Sequence, residues 1–159
     1  MTNQPIFVVG SVDDQMFASL AKALQERDPM QPITIILNSD GGEVIQALGI
    51  YELLKSRPAP VTIHAIGACM SAAIVILQAA EHRYATPDCS LMVHFGEETN
   101  TSGSEASHNA ELNKRMKRII QERTKRSSKT VNKWFAADTY FTSEKAKKSN
   151  LIDEVLNVI

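Results

Sequence analysis

Ser71, four histidines, Asp138 and a tandem-glycine turn are the residues of this chain whose types and placement could do chemistry. Ser71 lies where the apolar, β-branched run from Val61 to Ile66 gives way, past Gly67, to Ala72–Leu77. The first run predicts a buried strand and the second a core helix that is apolar on all sides. A serine at a strand–turn–helix junction aims its Oγ into a cleft. The first N–H groups of the new helix are unpaired there and can receive an anion. Nucleophilic catalysis asks for that geometry, so Ser71 is the candidate nucleophile.

A nucleophilic serine needs a base. His64 lies inside the predicted strand and fits a satisfied core histidine, while His82 and His108 lie in polar, exposed stretches. His94 ends the apolar run Leu91-Met92-Val93 just where the sequence turns polar, which suits a side chain lining a cleft. A third group should orient the imidazole. Asp138 falls between Trp134-Phe135 and Tyr140-Phe141, a placement that predicts partial burial, although a residue ending a helix fits equally. The turn Asn38-Ser39-Asp40-Gly41-Gly42 offers backbone N–H groups to an anion. No Lys-Ser/Thr follows the glycines and no GxGxxG spacing is present, so a nucleotide loop is poorly supported. A tight βα turn needing glycine dihedrals explains the same residues. Ser71 also lacks a G-x-S-x-G elbow, since Cys69 and Met70 precede it, which removes the main support for an α/β-hydrolase.

The elements that must position these residues alternate between periods of strand and helix. Ile6–Val9 predicts a strand, and Met16, Leu20, Ala23 and Leu24 share one face of a helix that starts near Ser11–Asp14. Ile33–Leu37 predicts a second buried strand, and Glu43–Ser56 a helix with its stripe at Val44, Ala47, Leu48, Tyr51 and Leu54. Arg83–Ala85 and Leu91–His94 follow as strands. Phe95–Ser107 loses apolar periodicity and predicts an exposed segment. Glu111–Arg126 predicts a long helix with a dense basic face, Val131–Ala137 a shorter one, and Thr142 caps a small one. Leu151–Ile159 predicts a closing strand. Alternation of this kind implies parallel pairing with crossover helices, in one domain spanning residues 1–159.

At 159 residues, 43% hydrophobic and with a formal net charge of −1, the chain has the composition of a soluble globular domain. Nothing in it pulls globally toward nucleic acid or membrane. Cys69 and Cys89 lack a CxxC partner, and no signal-peptide pattern precedes Ile6. They read as reduced, buried thiols of a cytoplasmic protein, with no metal and no cofactor expected.

These motifs, in this order, resemble the ClpP family of serine peptidases (the Clp protease proteolytic subunit). Ile36-Leu-Asn-Ser-Asp-Gly-Gly-Glu-Val44 is similar to the family turn Asn-Ser-Pro-Gly-Gly-Ser-Val. Ile66-Gly-Ala-Cys-Met-Ser71 is similar to the nucleophile segment, and Arg83–Pro87 with Leu91–His94 to the stretch ending in the catalytic histidine. Asp138–Ala146 and Asn150–Val155 resemble the C-terminal signature. The resemblance implies Ser71 as nucleophile, His94 as general base and Asp138 as its orienting partner. It implies the backbone N–H groups of Gly42 and Ala72 as the oxyanion hole. It implies an α/β fold, a ClpP/crotonase-like spiral of βα units with a protruding handle of strand plus long helix at about residues 95–126. Extended peptide would add to the edge segment just after His94 by backbone pairing. The implied assembly is a homo-oligomeric ring, hexamer or heptamer, single or stacked in two, that encloses peptide or unfolded protein as substrate.

Several positions depart from the family pattern. Thr34 and Ile36 stand where strand aromatics help dock an AAA+ unfoldase, and the family's N-terminal segment is almost absent, which argues against that partner. Asp40 replaces proline, Ala72 replaces methionine, and Ala136-Ala137 replace an acidic–basic pair that joins rings. Ser71-Ala72-Ala73 is similar to phage-type ClpP-like capsid maturation proteases. The other readings are a catalytically idle ring subunit, a crotonase-like acyl-CoA enzyme, and a nucleic-acid surface on the basic helix. Near-neutral net charge argues against the last.

Overall fold

The computed structural model describes residues 4–95 and 102–157. Among the described residues, seven strands form one sheet, with β1 (Ile6–Val9), β2 (Ile33–Ser39), β3 (Val61–Met70), β4 (His82–Ala85) and β7 (Glu154–Val155) side by side in that order. All of these pairs are parallel, as crossover helices require. The remaining two, β5 (Ser90–Val93) and β6 (Thr139–Thr142), form a second branch: β5 pairs in parallel with the far half of β3, and β6 antiparallel with β5.

Alternation decides which sheet face is covered. Ile6, Val8, Ile33, Ile35, Leu37, Val61, Ile63 and Ala65 point to one side and are buried there with Met16, Leu20 and Leu24 of α1 (Asp14–Gln25) and Ala47, Leu48, Ile50 and Leu54 of α2 (Val44–Lys55). Asp13 starts α1 by accepting from the Met16 N–H at 2.8 Å. The helix α3 (Ala72–Leu77) has every residue fully buried, as its all-apolar sequence predicts. On the opposite face Phe7 and Val9 are exposed, and His64 lies beside Tyr84 with ring centroids 5.0 Å apart. His64 is therefore half-buried on the outer face, not a core histidine, and partial burial lowers its pKa.

The predicted strand from Val61 does not end at Ile66 but continues to Met70. Between Leu37↔Ala65 and Ser39↔Cys69, two steps on β2 face four on β3, so β3 bulges. Gly67 takes the bulge with φ +61, and Asn38 Oδ1 accepts the Ala68 N–H at 3.1 Å. A Cβ on Gly67 would lie 3.0 Å from that Asn38 oxygen, so glycine serves both the dihedral and the close approach.

The long helix α4 (Ser104–Thr124) begins seven residues before the predicted Glu111. Its first turns bury nothing and so carry no periodic signal; burial begins at Met116 and continues through Ile119, Ile120 and Thr124. A Ser127 cap opens α5 (Ser128–Ala136), and a Thr142 cap opens α6 (Ser143–Lys148), the latter as expected. Among the described residues, the predicted C-terminal strand is confined to Glu154–Val155, with Leu151 and Ile152 turned inward to the core, while Val158 and Ile159 lie outside the described residues. The expected edge strand just after His94 lies outside the described residues. Among the described residues, no helix is long and apolar enough to cross a membrane.

Arg83 closes this end of the fold. Its guanidinium is buried and donates to Gln78 Oε1 at 2.7 Å, to the Asn150 carbonyl at 3.0 Å and to both oxygens of Asp153. Burial alone would raise the Asp153 carboxyl, but side-chain and backbone hydrogen bonds from Arg83 outweigh it and hold the pKa below its ordinary value. Removing the guanidinium strands the buried Gln78 Oε1 and takes the donor from the Asn150 carbonyl and Asp153 Oδ1, so Arg83→Met should lower the unfolding free energy by about 2 kcal/mol in urea titrations. A carboxylate with a depressed folded-state pKa stabilises fully above its unfolded value and loses that contribution as pH falls through the folded one. Asp153→Asn should therefore cost stability at neutral pH and flatten the decline of unfolding free energy below about pH 4.

Candidate active site

Sheet register alone brings the three candidate side chains together. Met70 pairs with Met92 in parallel, and the Ser71 N–H extends that ladder by donating to the Met92 carbonyl at 2.8 Å. Val93 pairs with Thr139 antiparallel, so the next residues out, His94 and Asp138, face each other. Ser71 Oγ lies 2.8 Å from His94 Nε2, and His94 Nδ1 lies 3.2 Å from Asp138 Oδ1. With Nδ1–H donating to the carboxylate, Nε2 is left as the acceptor of the serine proton.

Ser71 holds a conformation that L-residues seldom adopt, φ 55 and ψ −124. The Met92 carbonyl fixes it on one side, and on the other the Ser71 carbonyl accepts the Ile74 N–H at 3.0 Å. This sharp elbow between β3 and α3 directs the hydroxyl outward from a buried helix. The competing thiols are unsuited to the role. Burial pushes Cys89 up to about 11 and, with Cys89 nearby, pushes Cys69 well up, so both stay protonated.

Asp138 is not partly buried as its apolar flanks predict; its side chain is 65% exposed, against 23% for His94. The flanks do pack, with Trp134 edge-on to Phe141 at 5.3 Å, and they leave the carboxylate on the rim. The Thr139 hydroxyl ties the turn by contacting the Trp134 and Ala137 carbonyls at 3.0 and 2.7 Å.

The glycine turn packs directly on this elbow. Gly41, φ +105, lies so close that an added Cβ would sit 2.7 Å from Ser71 Cβ, 2.8 Å from the Met70 carbonyl and 3.3 Å from the Ala72 nitrogen. Val12 holds the turn's other edge: its N–H donates to the Gly41 carbonyl at 2.9 Å, and its carbonyl accepts the Glu43 N–H at 2.8 Å. Both bonds use the neighbours of Gly42 and leave the Gly42 N–H out of the bridge. Gly41 is the positioning residue that the sequence reading missed. The tandem glycine was visible, but which glycine meets Ser71 depends on the β2–β3 register.

A family model described as Clp protease matches residues 1–158. The chain belongs to the Clp protease family. The ATP-dependent Clp protease proteolytic subunit 2 of Corynebacterium efficiens is 28% identical over 96% of this chain and 82% of its own length. Subunit 1 of Chlamydia abortus is 29% identical over 95% of this chain and 85% of its own. A mutant of ClpP1 from Listeria monocytogenes superposes with TM-score 0.88 at 25% identity, covering 98% of this chain and 92% of that one. The fold is thus that of ClpP, as the sequence resemblance implied. Peptide-bond hydrolysis is the chemistry of the Clp protease family, which favours the peptidase reading over the acyl-CoA one.

Gly41→Ala should force Ser71 and the α3 N-terminus apart at a left-handed position. The expected cost is about 1–3 kcal/mol of stability, read as a lowered midpoint in thermal unfolding.

Proposed function

We propose that this Clp protease family chain is a serine endopeptidase in which Ser71, His94 and Asp138 act as a catalytic triad. The observation that carries the reading is the continuous chain of contacts from Ser71 Oγ through His94 to Asp138 Oδ1, at 2.8 and 3.2 Å. In the proposed cycle Ser71 Oγ attacks the peptide carbonyl carbon while His94 Nε2 takes the hydroxyl proton. Asp138 holds Nδ1–H and so keeps the tautomer that can accept it. The tetrahedral oxyanion rests against the backbone N–H groups of Gly42 and Ala72. Collapse breaks the C–N bond, His94 returns the proton to the departing amine, and an ester on Ser71 remains. Water, deprotonated by His94, then hydrolyses the ester and regenerates the serine. Packing of the glycine turn over Ser71 and Ala72 supports this choice of oxyanion donors.

The substrate in this reading is unfolded protein or short peptide, cut in the chamber of a homo-oligomeric ring in the cytoplasm. The first turns of α4, from Ser104 to Ala110, carry no fully buried residue, which supports a ring contact there. Relatives named ATP-dependent support coupling to an ATPase partner, while Thr34 and Ile36, in place of docking aromatics, count against it.

Ser71→Ala should reduce peptide hydrolysis by about a millionfold, to background, and abolish labelling by a fluorophosphonate probe. Asp138→Asn should cost about 10²- to 10⁴-fold in kcat through a misoriented imidazole. A sizing column run on labelled protein locates the activity: label confined to a ring-sized peak is expected. Turnover retained without the Ser71 hydroxyl would remove that residue from the mechanism.

A further inference from the structure

Beside the triad, between α4 and α5, lies a groove of about 800 Å³ whose lining includes Phe95, Lys114, Lys117, Arg118, Val131 and Asn132. It adjoins the proposed catalytic residues along the chain through Phe95. Phe95 follows His94, and Phe135, which packs on Phe95 with ring centroids 5.2 Å apart, precedes Asp138 by three residues. The Lys117 ammonium stands 4.4 Å over the Phe95 ring and 5.9 Å from the Phe135 centroid. Aromatic faces attract a cation and strip part of its water, but they neutralise none of its charge and occupy few of its donors.

The groove is strongly unbalanced in charge. Among the described residues, Lys114, Arg115, Lys117 and Arg118 line it against the carboxylate of Glu111 alone. That carboxylate lies 3.9 Å from Lys114 and 3.6 Å from Arg115, both exposed and loosely paired. Among the described residues, Lys117 and Arg118 have no carboxylate partner. With an apolar floor at Phe95 and Val131 and a half-buried ammonium above it, the groove fits an aliphatic side chain that ends in a carboxylate.

We propose that this groove selects peptide substrates carrying acidic side chains next to the scissile bond, with Lys117 reading the carboxylate. The inference rests on the peptidase reading above and deepens it by naming a substrate class. Concavity, the apolar floor and the position beside the triad favour an acidic peptide over nucleic acid, whose backbone needs an extended basic track.

The test uses the full chain and two matched fluorogenic peptides, one with Glu and one with Gln on both sides of a single cleavable bond. Wild-type protein should hydrolyse the Glu peptide with kcat/KM about tenfold or more above the Gln peptide at low salt, and less so at high salt. Lys117→Gln should bring the ratio close to one, whereas Lys117→Arg, which keeps the charge, should preserve it. A Ser71→Ala chain, with binding followed by fluorescence anisotropy, separates the two levels of the argument. Tighter binding of the Glu peptide with no hydrolysis by wild type would sustain the groove and defeat the peptidase reading. Equal binding, or equal kcat/KM in wild type, would overturn the groove alone. Dissociation of the assembly in Lys117→Gln on a sizing column would also overturn it, by making the groove a subunit contact. So would displacement of the Glu peptide by single-stranded RNA but not by excess unlabelled acidic peptide.

Discussion

The arrangement depends on β3 keeping two sets of partners. Its first half pairs with β4 and its second half with β5, and the two branches of the sheet diverge at the bulge around Gly67. A regular strand would have kept β4 as its neighbour to the end and left Ser71 far from β5. The bulge, held by the Asn38 amide, turns the last residues of β3 so that the ladder to β5 finishes on the Ser71 N–H. One hydrogen bond to the Met92 carbonyl thereby fixes the elbow and its distance from His94. A strained non-glycine dihedral costs about 1–3 kcal/mol. The six fully buried residues of α3 directly behind Ser71 outweigh that cost by packing.

The proposed triad is ordered from within outward. Ser71 is anchored by core elements, His94 is mostly covered, and Asp138 faces water on the rim. A contact of 3.2 Å to a largely solvated carboxylate is longer than the usual charge-assisted bond, and water screens it. Orientation of the imidazole therefore rests as much on the β5–β6 register as on the Coulomb attraction. Thr139, bonding back to two carbonyls, holds that register where β6 begins.

What the sequence revealed follows from where each signal originates. Ser71, His94 and Asp138 could be read because each closes an apolar run, and the run ends are set by burial. The core stripes of α1 and α2 were legible for the same reason. The β3 continuation past Gly67 was not, because the glycine that looks like a stop is a bulge made possible by a side chain on another strand. β6 was overlooked since Thr139–Thr142 is only four residues long and opens straight into a helix. The start of α4 escaped because its first turns bury nothing, leaving no period to read. Asp138's exposure escaped too: apolar neighbours bury themselves without burying the residue between them.

The chain uses its cations in two physically distinct ways. Arg83 is buried, and its donors go to Asp153, Gln78 and a backbone carbonyl, so its charge is consumed by the fold. Lys117 is held by aromatic faces that fix its position without satisfying it. A cation fully paired within the fold has little left to offer a ligand, whereas one positioned by quadrupoles retains its charge and its hydrogen-bond donors. Overall net charge conceals this difference, because the near balance of 17 basic and 18 acidic residues says nothing about where either sign is compensated. Compensation is a property of the packing, and among the described residues of the groove beside the proposed triad it is incomplete.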